Sequence, residues 1–199
     1  MTTVSAPPPA QRIHIIGPSC AGKTTLGRAL GERLGLPFTD LDDLWWSPGW
    51  VQCGHPVLRE RVADLAATPA WVVSGNYFAS TEVALWPRLQ WLIVLDFPLG
   101  LVTRRALSRT WRRAVTGEAC CNGNHEKWYR LFHRDGVIRY TWRTWATRQA
   151  RYRQLSNDAA LAGVTITRLG SPAEVERLWR DLSVAVLRNA TPRHATPAA

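Results

Sequence analysis

The sequence lacks any apolar run of the roughly 18 residues that a membrane-spanning helix needs, so no membrane association is expected. Residues 1–11 are rich in alanine and proline but lack a basic head followed by a long apolar stretch, so we do not expect a secretion signal there. Only four cysteines occur, and without a secretion signal we expect reduced thiols in a cytoplasmic protein. Residues 1–11 and 188–199 are expected to be flexible termini.

The chain has 199 residues, of which 46% are hydrophobic and 20% charged, and this composition predicts one globular domain. We assign that domain to residues 12–187. The net charge of +10 is concentrated in residues 104–153, where 13 residues are basic and 3 are acidic. This local excess predicts binding to phosphates, either of a nucleotide or of a nucleic-acid backbone.

Short apolar runs alternate with helical patterns along the chain. Strands are predicted at 12–16, 37–41, 71–74, 91–96 and 164–169. Helices are predicted at 23–34, 57–67, 99–114, 128–155 and 172–187, with an irregular segment at 115–126. Because the strand candidates are continuously apolar, both faces of the sheet should be covered. The pattern therefore indicates an α/β fold with a five-stranded, parallel, doubly wound sheet.

The segment between the first strand and the first helix has the spacing of a phosphate-binding loop, Gly17-Pro18-Ser19-Cys20-Ala21-Gly22-Lys23-Thr24. Glycines let backbone N–H groups surround phosphate oxygens, the lysine reaches the β- and γ-phosphates, and the threonine hydroxyl ligates Mg²⁺. We therefore predict a three-layer P-loop NTPase fold that binds ATP and Mg²⁺, with Lys23 as a catalytic residue. The nucleotide-binding residues predicted here are Gly17, Ser19, Cys20, Ala21, Gly22, Lys23, Thr24 and Thr25.

Acidic residues follow two of the predicted strands. Asp40 and Asp42 end the second strand with both side chains on one face, toward the crevice where ligands bind in such sheets. Asp40 is a candidate, with Thr24, for holding Mg²⁺, and Asp42 for orienting an acceptor hydroxyl or taking its proton. Asp96 ends the fourth strand and either holds Mg²⁺ through water or caps the helix that Pro98 begins.

A second group of side chains opens onto the same crevice. Arg59 lies early in the second helix, and Gly75, Asn76 and Tyr77 follow the third strand. Gly75 permits a close backbone approach, while Asn76 and Tyr77 can hydrogen-bond a polar molecule. We predict that these four residues bind the acceptor together with Asp42.

Arginines dominate the predicted lid, at about 104–130. Five of them run along one helix into a glycine-containing excursion, as a lid that stabilises a transferring phosphoryl group would require. Some of the five are expected to form only a solvated basic face. We select Arg109 as catalytic, and Arg104 or Arg105, with Arg104 preferred, as a nucleotide ligand.

Aromatic and basic residues also interleave in residues 139–153. This pattern is typical of a nucleic-acid surface, but also of an amphipathic helix whose aromatics pack on the core. We favour core packing plus one nucleotide contact, from Arg148.

Cysteine and histidine residues invite a zinc hypothesis. The candidates are Cys53, Cys120, Cys121, His55 and His125. Their spacing is not Cys-x-x-Cys, and adjacent cysteines rarely share a tetrahedral site, so ordinary thiols are favoured. The nearby Trp45, Trp46 and Trp50 either line a pocket or pack on their own core.

Several of these motifs occur in an order that resembles a known family. Its members are adenylate-kinase-related bacterial proteins often labelled topology modulation proteins, and the resemblance covers roughly residues 12 to 180. Its motifs here are the phosphate loop, the run from Leu41 to Trp50 (Leu-Asp-x-Leu-x-Trp-x-Pro-Gly-Trp), Gly75-Asn76-Tyr77 and Leu95-Asp96-Phe97-Pro98. The resemblance implies a nucleoside monophosphate kinase-like fold with a basic helical lid.

The chain is more distantly similar to shikimate and gluconate kinases. Asp40-Leu41-Asp42 falls where shikimate kinases carry Asp-x-Asp, and Arg59 falls where they carry an arginine that grips the substrate carboxylate. Gly75-Asn76-Tyr77 replaces their Gly-rich triplet, a departure that argues against shikimate itself.

We therefore predict an ATP-dependent phosphotransferase that acts on a small-molecule hydroxyl or phosphate acceptor, as a monomer or homodimer. One alternative is a nucleoside monophosphate kinase of the adenylate type. The other, from a different class, is an ATP-binding regulator that contacts nucleic acid through residues 104–153.

Overall fold

The computed structural model describes residues 10–125 and 137–190. The strands in these ranges are β1 (Arg12–Ile16), β2 (Phe38–Asp40), β3 (Trp46–Ser47), β4 (Val51–Gln52), β5 (Trp71–Ser74), β6 (Trp91–Leu95), β7 (Ala119–Cys120), β8 (Asn124–His125) and β9 (Thr165–Leu169). The helices are α1 (Lys23–Leu34), α2 (Leu41–Trp45), α3 (His55–Ala67), α4 (Phe78–Ala84), α5 (Leu99–Thr116), α6 (Val137–Gln154) and α7 (Pro172–Ala190).

Five strands form the central parallel sheet, in the order β2-β5-β1-β6-β9. Two antiparallel hairpins stand apart from it, one formed by β3 and β4 and the other by β7 and β8. The carboxyl ends of neighbouring parallel strands meet at one edge of a sheet, where such folds bind ligands. The segments that follow β1, β2 and β5 carry most of the predicted site.

An apolar cluster covers each face of the sheet, and the side chains of a strand point alternately to one cluster and the other. In β1, Ile13 and Ile15 join the cluster with Leu26 of α1, whereas Ile16 joins the other cluster with Leu58 of α3. All five residues of β6 are buried. This confirms the prediction of an α/β fold in which helices cover both faces of a five-stranded parallel sheet.

Some predicted boundaries were wrong for local reasons. The second strand ends at Asp40 rather than Leu41, because the Asp40 carboxylate accepts the Asp42 N–H and caps α2. The hairpin β3–β4 and helix α4 were not predicted, and the segment 115–126 contains the hairpin β7–β8. Part of the predicted helix 128–155 lies outside the described residues, as do 1–9 and 191–199.

Helix α7 extends three residues past its predicted end. None of the helices in the described ranges is long and apolar enough to cross a membrane.

Candidate nucleotide and acceptor site

The phosphate loop follows β1 and leads directly into α1. Gly17 and Gly22 have φ angles of +155° and +100°, a region that side chains disfavour. A Cβ on Gly17 would lie 2.7 Å from the Leu95 carbonyl oxygen, so the loop passes too close to β6 for any other residue. No side chain caps the first turn of α1, and its N–H groups are therefore available to an anion.

The other predicted loop residues occupy the surface of this turn. Ser19 and Cys20 are half-buried, Ala21 is buried, and Thr24 and Thr25 are exposed at the start of α1. Cys20 has a φ of +63°, a left-handed conformation unusual for a residue with a side chain. The conformation of the loop therefore requires a positive φ angle at Cys20 as well as at Gly17 and Gly22.

Lys23 points back into the loop. Its ammonium donates to the Gly17 and Pro18 carbonyl oxygens, at 3.0 and 3.1 Å. Burial lowers the pKa of Lys23, and the Arg148 charge lowers it further, while Asp42 and Asp40 oppose that shift. A partly buried cation between carbonyl oxygens lies where it can exchange them for phosphate oxygens.

The acidic pair meets the threonine of the loop. The Thr24 hydroxyl donates to Asp40 Oδ2 at 2.5 Å, and the Tyr77 hydroxyl donates to Asp42 Oδ1 at 2.7 Å. Burial, followed by the neighbouring Asp42 charge, raises the pKa of Asp40. Burial and the Asp42 carboxylate raise the pKa of Tyr77, which keeps this hydroxyl protonated as a donor. The structure thus brings together four predicted site residues.

Asn76 is used differently from the sequence prediction. Its Oδ1 accepts the Gly17 N–H at 3.0 Å, and its Nδ2 donates to the Gly17 carbonyl at 2.8 Å. Both ends of the amide therefore hold the phosphate loop instead of facing an acceptor. Gly75 is also used internally, because a Cβ there would lie 2.7 Å from Leu41 Cβ.

The structure does not bring Arg59 to this group. Arg59 is exposed on α3, and among the described residues it makes no hydrogen bond or ion pair with Asp42 or Tyr77. Two residues further along, Arg61 donates to the Leu44 carbonyl of α2 at 2.6 Å. The arginine of α3 that contacts α2 in this structure is therefore Arg61.

Asp96 is engaged by side chains that the sequence did not suggest. Its carboxylate accepts from both Arg168 of β9 and Gln149 of α6. The capping alternative is wrong, because no side chain caps α5 and Pro98 occupies the capping position. Direct participation in a magnesium site would require Asp96 to leave an ion pair in which it is largely buried.

Arginines of α5 line an open cleft of about 420 Å³ beside the phosphate loop. Arg105 connects cleft and loop: it donates to the Ala21 carbonyl at 2.9 Å and lies over the Phe97 ring. The preferred Arg104 is exposed in the same cleft, with Arg109 and Arg112. Of the two alternatives left open by the sequence, Arg105 is the one that contacts the loop.

Arg148 of α6 lies close enough to Lys23 to lower the pKa of that residue. It also donates to the Tyr140 hydroxyl at 2.7 Å and packs over that ring. A position near both a surface aromatic and the phosphate loop is consistent with the predicted nucleotide contact.

The hairpin β7–β8 is joined to the hairpin β3–β4 by side-chain amides. Asn124 accepts the Trp50 N–H at 2.7 Å and donates to the Ser47 carbonyl at 3.0 Å, while Asn122 donates to the Trp46 carbonyl at 2.7 Å. A hydrogen bond with Cys120, followed by burial and the Asp42 charge, raises the pKa of Cys121. We call these two joined hairpins the clasp; it covers the Asp42 side of the site.

Trp45 of α2 packs beside two tryptophans of the clasp, Trp46 and Trp50. Trp45 is buried and its ring lies 5.4 Å from that of Tyr77, and Trp46 meets Trp50 edge-on at 5.4 Å. Trp45 therefore packs against the Tyr77 ring. The zinc hypothesis is not supported, because the described part of the chain contains no cluster of three or more candidate metal ligands.

Three residues that shape the site were not predicted from the sequence: His14, Asn122 and Asn124. Arg105 was predicted only as the second choice after Arg104. A histidine in the middle of an otherwise apolar strand was a usable signal for His14. The two asparagines carried none, since their partners are 74 to 79 residues away along the chain.

Comparison with known proteins matches part of this site. The shikimate kinase family profile matches residues 19–46, which include the end of the phosphate loop and both Asp40 and Asp42. A shikimate kinase from Saccharopolyspora erythraea is 62% identical over 29 residues, or 15% of this chain and 17% of that protein. An uncharacterized protein of Bacillus subtilis, YqaC, is 33% identical over 67 residues, or 33% of this chain and 38% of that protein. The matched segments thus span less than half of either relative.

Solved structures match over nearly the whole length. Shikimate kinase from Acinetobacter baumannii, solved in complex with shikimate, has a TM-score of 0.54 and 19% identity, covering 92% of this chain and 96% of that one. The chain has the three-layer α/β fold of this enzyme, with a five-stranded parallel sheet. A gluconokinase from Sinorhizobium meliloti 1021 has a TM-score of 0.48 and 17% identity, covering 90% of this chain and 93% of that one. None of these matches confirms the resemblance to topology modulation proteins.

Proposed function

We propose that this protein is an ATP-dependent phosphotransferase that acts on a small-molecule hydroxyl or phosphate acceptor. The observation that carries the proposal is the 2.5 Å hydrogen bond between Thr24 of the phosphate loop and Asp40. It makes the loop continuous with the Asp42–Tyr77 pair, which suits a second molecule. Nucleotide and Mg²⁺ account for Thr24 and Asp40, whereas the Asp42–Tyr77 pair lies beyond them and is left for an acceptor.

The nucleotide end is built from backbone donors and cations. The uncapped N–H groups at the start of α1 and the Lys23 ammonium suit the β- and γ-phosphates of ATP. Arg105, Arg109 and the other arginines of the cleft suit the charge that spreads over a phosphoryl group as it transfers. Arg148, which acts electrostatically on Lys23, adds to this field.

The donor set between the loop and β2 fits magnesium. Thr24 Oγ1 and Asp40 Oδ2 are hard oxygen ligands at hydrogen-bonding distance from each other. Burial raises the pKa of Asp40. Thr24 and Asp40 would hold the ion, which supplies charge neutralisation for the phosphates when bound.

The acceptor end centres on Asp42. Its Oδ1 accepts from Tyr77, and no other side chain among the described residues donates to it, so Oδ2 suits an acceptor hydroxyl. Asp42 would orient that hydroxyl toward the γ-phosphate and accept its proton. Tyr77, backed by Trp45, holds the carboxylate in position.

The function is tested by ADP release. Purified protein with Mg²⁺ and ATP is offered a panel of sugars, polyols, hydroxy acids and nucleoside monophosphates. We expect one acceptor class to raise ADP release, Lys23→Ala to abolish it, and Asp42→Asn to lower it by about 10²- to 10⁴-fold. Arg33→Ala, at an exposed position in the last turn of α1, is the control for general damage. Arg59→Ala separately tests the predicted carboxylate grip. Acceptor-independent ATP binding without turnover on the whole panel would contradict the proposal.

One observation supports a second candidate, a regulator that binds nucleic acid. Trp111 and Trp142 are 67% and 59% exposed on the two arginine-rich helices α5 and α6. Exposed aromatics beside arginines suit base stacking and phosphate contacts. A salt-dependent affinity for single-stranded nucleic acid that survives Lys23→Ala and falls in Trp111→Ala would favour this candidate.

A further inference from the structure

Two buried and two partly buried hydrogen bonds, connected through the Gly75–Asn76 peptide, link the core of the sheet to the first residue of the phosphate loop. The Trp86 indole N–H donates to His14 Nδ1 at 3.3 Å, and His14 Nε2 donates to the Gly75 carbonyl at 2.8 Å. The next residue, Asn76, then holds both the N–H and the carbonyl of Gly17. We propose that Asn76 is a positioning residue for ATP, which sets the orientation of the Gly17 peptide groups through its two-sided hydrogen bond.

The loop needs such support at Gly17. The residue has a φ of +155° and lies against the Leu95 carbonyl, where the backbone has little room and glycine's own flexibility does not define a single conformation. An amide that donates to the carbonyl and accepts from the N–H of one residue selects one orientation for both groups. Neither aspartate nor alanine can form both bonds at neutral pH.

Asn76 also shares the Gly17 carbonyl oxygen with Lys23. Both Lys23 Nζ and Asn76 Nδ2 donate to this oxygen in the present structure. When Lys23 turns toward the phosphates of ATP, the carbonyl keeps a donor only through Asn76. A carbonyl left without a donor in this enclosed loop would oppose the lysine's movement. Asn76 therefore lowers the cost of engaging the nucleotide.

The support under Asn76 is rigid. His14 is fully buried, and burial lowers its pKa to about 4, so it stays neutral with Nδ1 as acceptor and Nε2 as donor. The Gly75 N–H also donates to the Ile15 carbonyl at 3.1 Å, which ties the turn to β1. The loop and the Asn76 turn are thus anchored to the same strand.

Two adjacent residues of this turn contact different parts of the site. Asn76 serves the phosphate loop, whereas Tyr77 serves Asp42 on the acceptor side. A change at position 76 should therefore affect ATP more than the acceptor. This inference rests on the proposed function only in taking ATP as the ligand of the loop.

The test measures the dissociation constant for ATP with Mg²⁺, in wild type and variants, by competition with a fluorescent ATP analogue. We expect Asn76→Ala to weaken binding about tenfold, the effect of losing hydrogen bonds of ordinary strength. The matched control is Asn157→Ala, at an exposed asparagine far along the chain, with unchanged affinity. Thermal unfolding is recorded for each variant so that affinity is compared between folded proteins.

A second variant separates positioning from simple loss of stability. Asn76→Asp has nearly the same shape as the wild-type side chain but, as a carboxylate, cannot donate to the Gly17 carbonyl, so it should weaken ATP binding at pH 8 at least as much as Asn76→Ala. A role in packing alone would be kept by this variant, whereas the positioning role would be lost.

The outcomes distinguish this inference from the proposed function. If Asn76→Ala binds ATP within twofold of wild type while Lys23→Ala does not bind, the positioning role is overturned and the nucleotide site stands. Folded Asn76→Asp that binds ATP as tightly as wild type at pH 8 also overturns it. If wild type and Lys23→Ala bind ATP equally, the loop is not the nucleotide site, and both proposals fail.

Discussion

A methyl group cannot be added at Gly17 without moving β6, since its Cβ would lie 2.7 Å from the Leu95 carbonyl oxygen. The requirement for glycine is therefore steric as well as conformational. The same loop tolerates a left-handed cysteine at position 20, where the side chain reaches the half-exposed surface. The choice of residue at position 17 is therefore restricted by the contact with β6.

The first prediction at this scale concerns Gly17→Ala. We expect the variant to lose about 1–3 kcal/mol of unfolding free energy from overpacking and backbone strain. ATP binding should be lost as well, because the loop must move to relieve the contact with β6. Urea unfolding and nucleotide titration measure the two effects. Gly163→Ala provides the comparison, since Gly163 has a positive φ but open space around its Cβ position.

The second residue-scale prediction concerns the pH dependence that His14 imposes. Burial lowers the pKa of this histidine from 6.5 in the unfolded chain to about 4 in the folded one. The unfolded state therefore binds the proton first as the pH falls. The stability that His14 contributes is complete above pH 6.5 and is lost as the pH falls toward 4, by roughly 3 kcal/mol in total.

Urea unfolding between pH 7 and pH 4.5 measures this dependence, with His14→Gln as the reference that cannot titrate. We expect the difference in unfolding free energy between the two proteins to shrink as the pH is lowered. A constant difference across that interval would show that His14 does not carry the pH dependence.

At the scale of elements, the clasp joins parts of the chain that are more than 70 residues apart. Asn124 is only 3% exposed and satisfies the Trp50 N–H, the Ser47 carbonyl and the Cys121 carbonyl at once. These side-chain hydrogen bonds add to the few backbone hydrogen bonds that two-residue strands can form. The clasp therefore depends on one buried asparagine more than on strand pairing.

We predict that Asn124→Ala opens the clasp. Buried backbone groups left without partners should cost about 1–3 kcal/mol of unfolding free energy. The tryptophan fluorescence should also shift toward that of exposed indole, because Trp46 and Trp50 pack within the clasp. Asn122→Ala, at an exposed position, is the matched control and should have a smaller effect on both measurements. Equal effects of the two variants would contradict the special role of Asn124.

At the scale of the whole molecule, the strand order brings the ends of β1, β2 and β5 together although they are distant in sequence. Asp96 adds a further tie, since it joins the end of β6 to Arg168 of β9 and Gln149 of α6. The site is thus a property of the assembled sheet, and ligand binding should be coupled to global stability.

This coupling gives the last prediction. ATP with Mg²⁺ at about 100 times its dissociation constant should stabilise the folded protein by about 2.7 kcal/mol, a rise of a few degrees in the melting temperature. Lys23→Ala should show no such rise at the same concentration. Differential scanning fluorimetry makes the comparison, with Mg²⁺ alone as the blank. An equal shift in both proteins would place the nucleotide elsewhere.

The sequence by itself determined the features whose causes are local. The phosphate loop is recognisable because glycine, lysine and threonine act through backbone conformation and a helix start only a few residues away. The strands β1, β5 and β6 were predictable because each is a short, largely apolar run that a two-sided sheet must bury. The edge strands β2 and β9 are more polar and were predictable mainly from their alternation with helices. Asp40 and Asp42 were assigned to the crevice because they lie at the end of a predicted strand.

Only the tertiary structure decided which polar groups meet. Asn76 holds Gly17 from 59 residues away, Asn124 holds Trp50 from 74 residues away, and Arg105 holds Ala21 from 84 residues away. Their partners are backbone groups, which every residue carries, so no pattern of side chains announces the pairing. The same reason explains why Arg59, predicted from its place in the chain, lies exposed while Arg61 contacts α2.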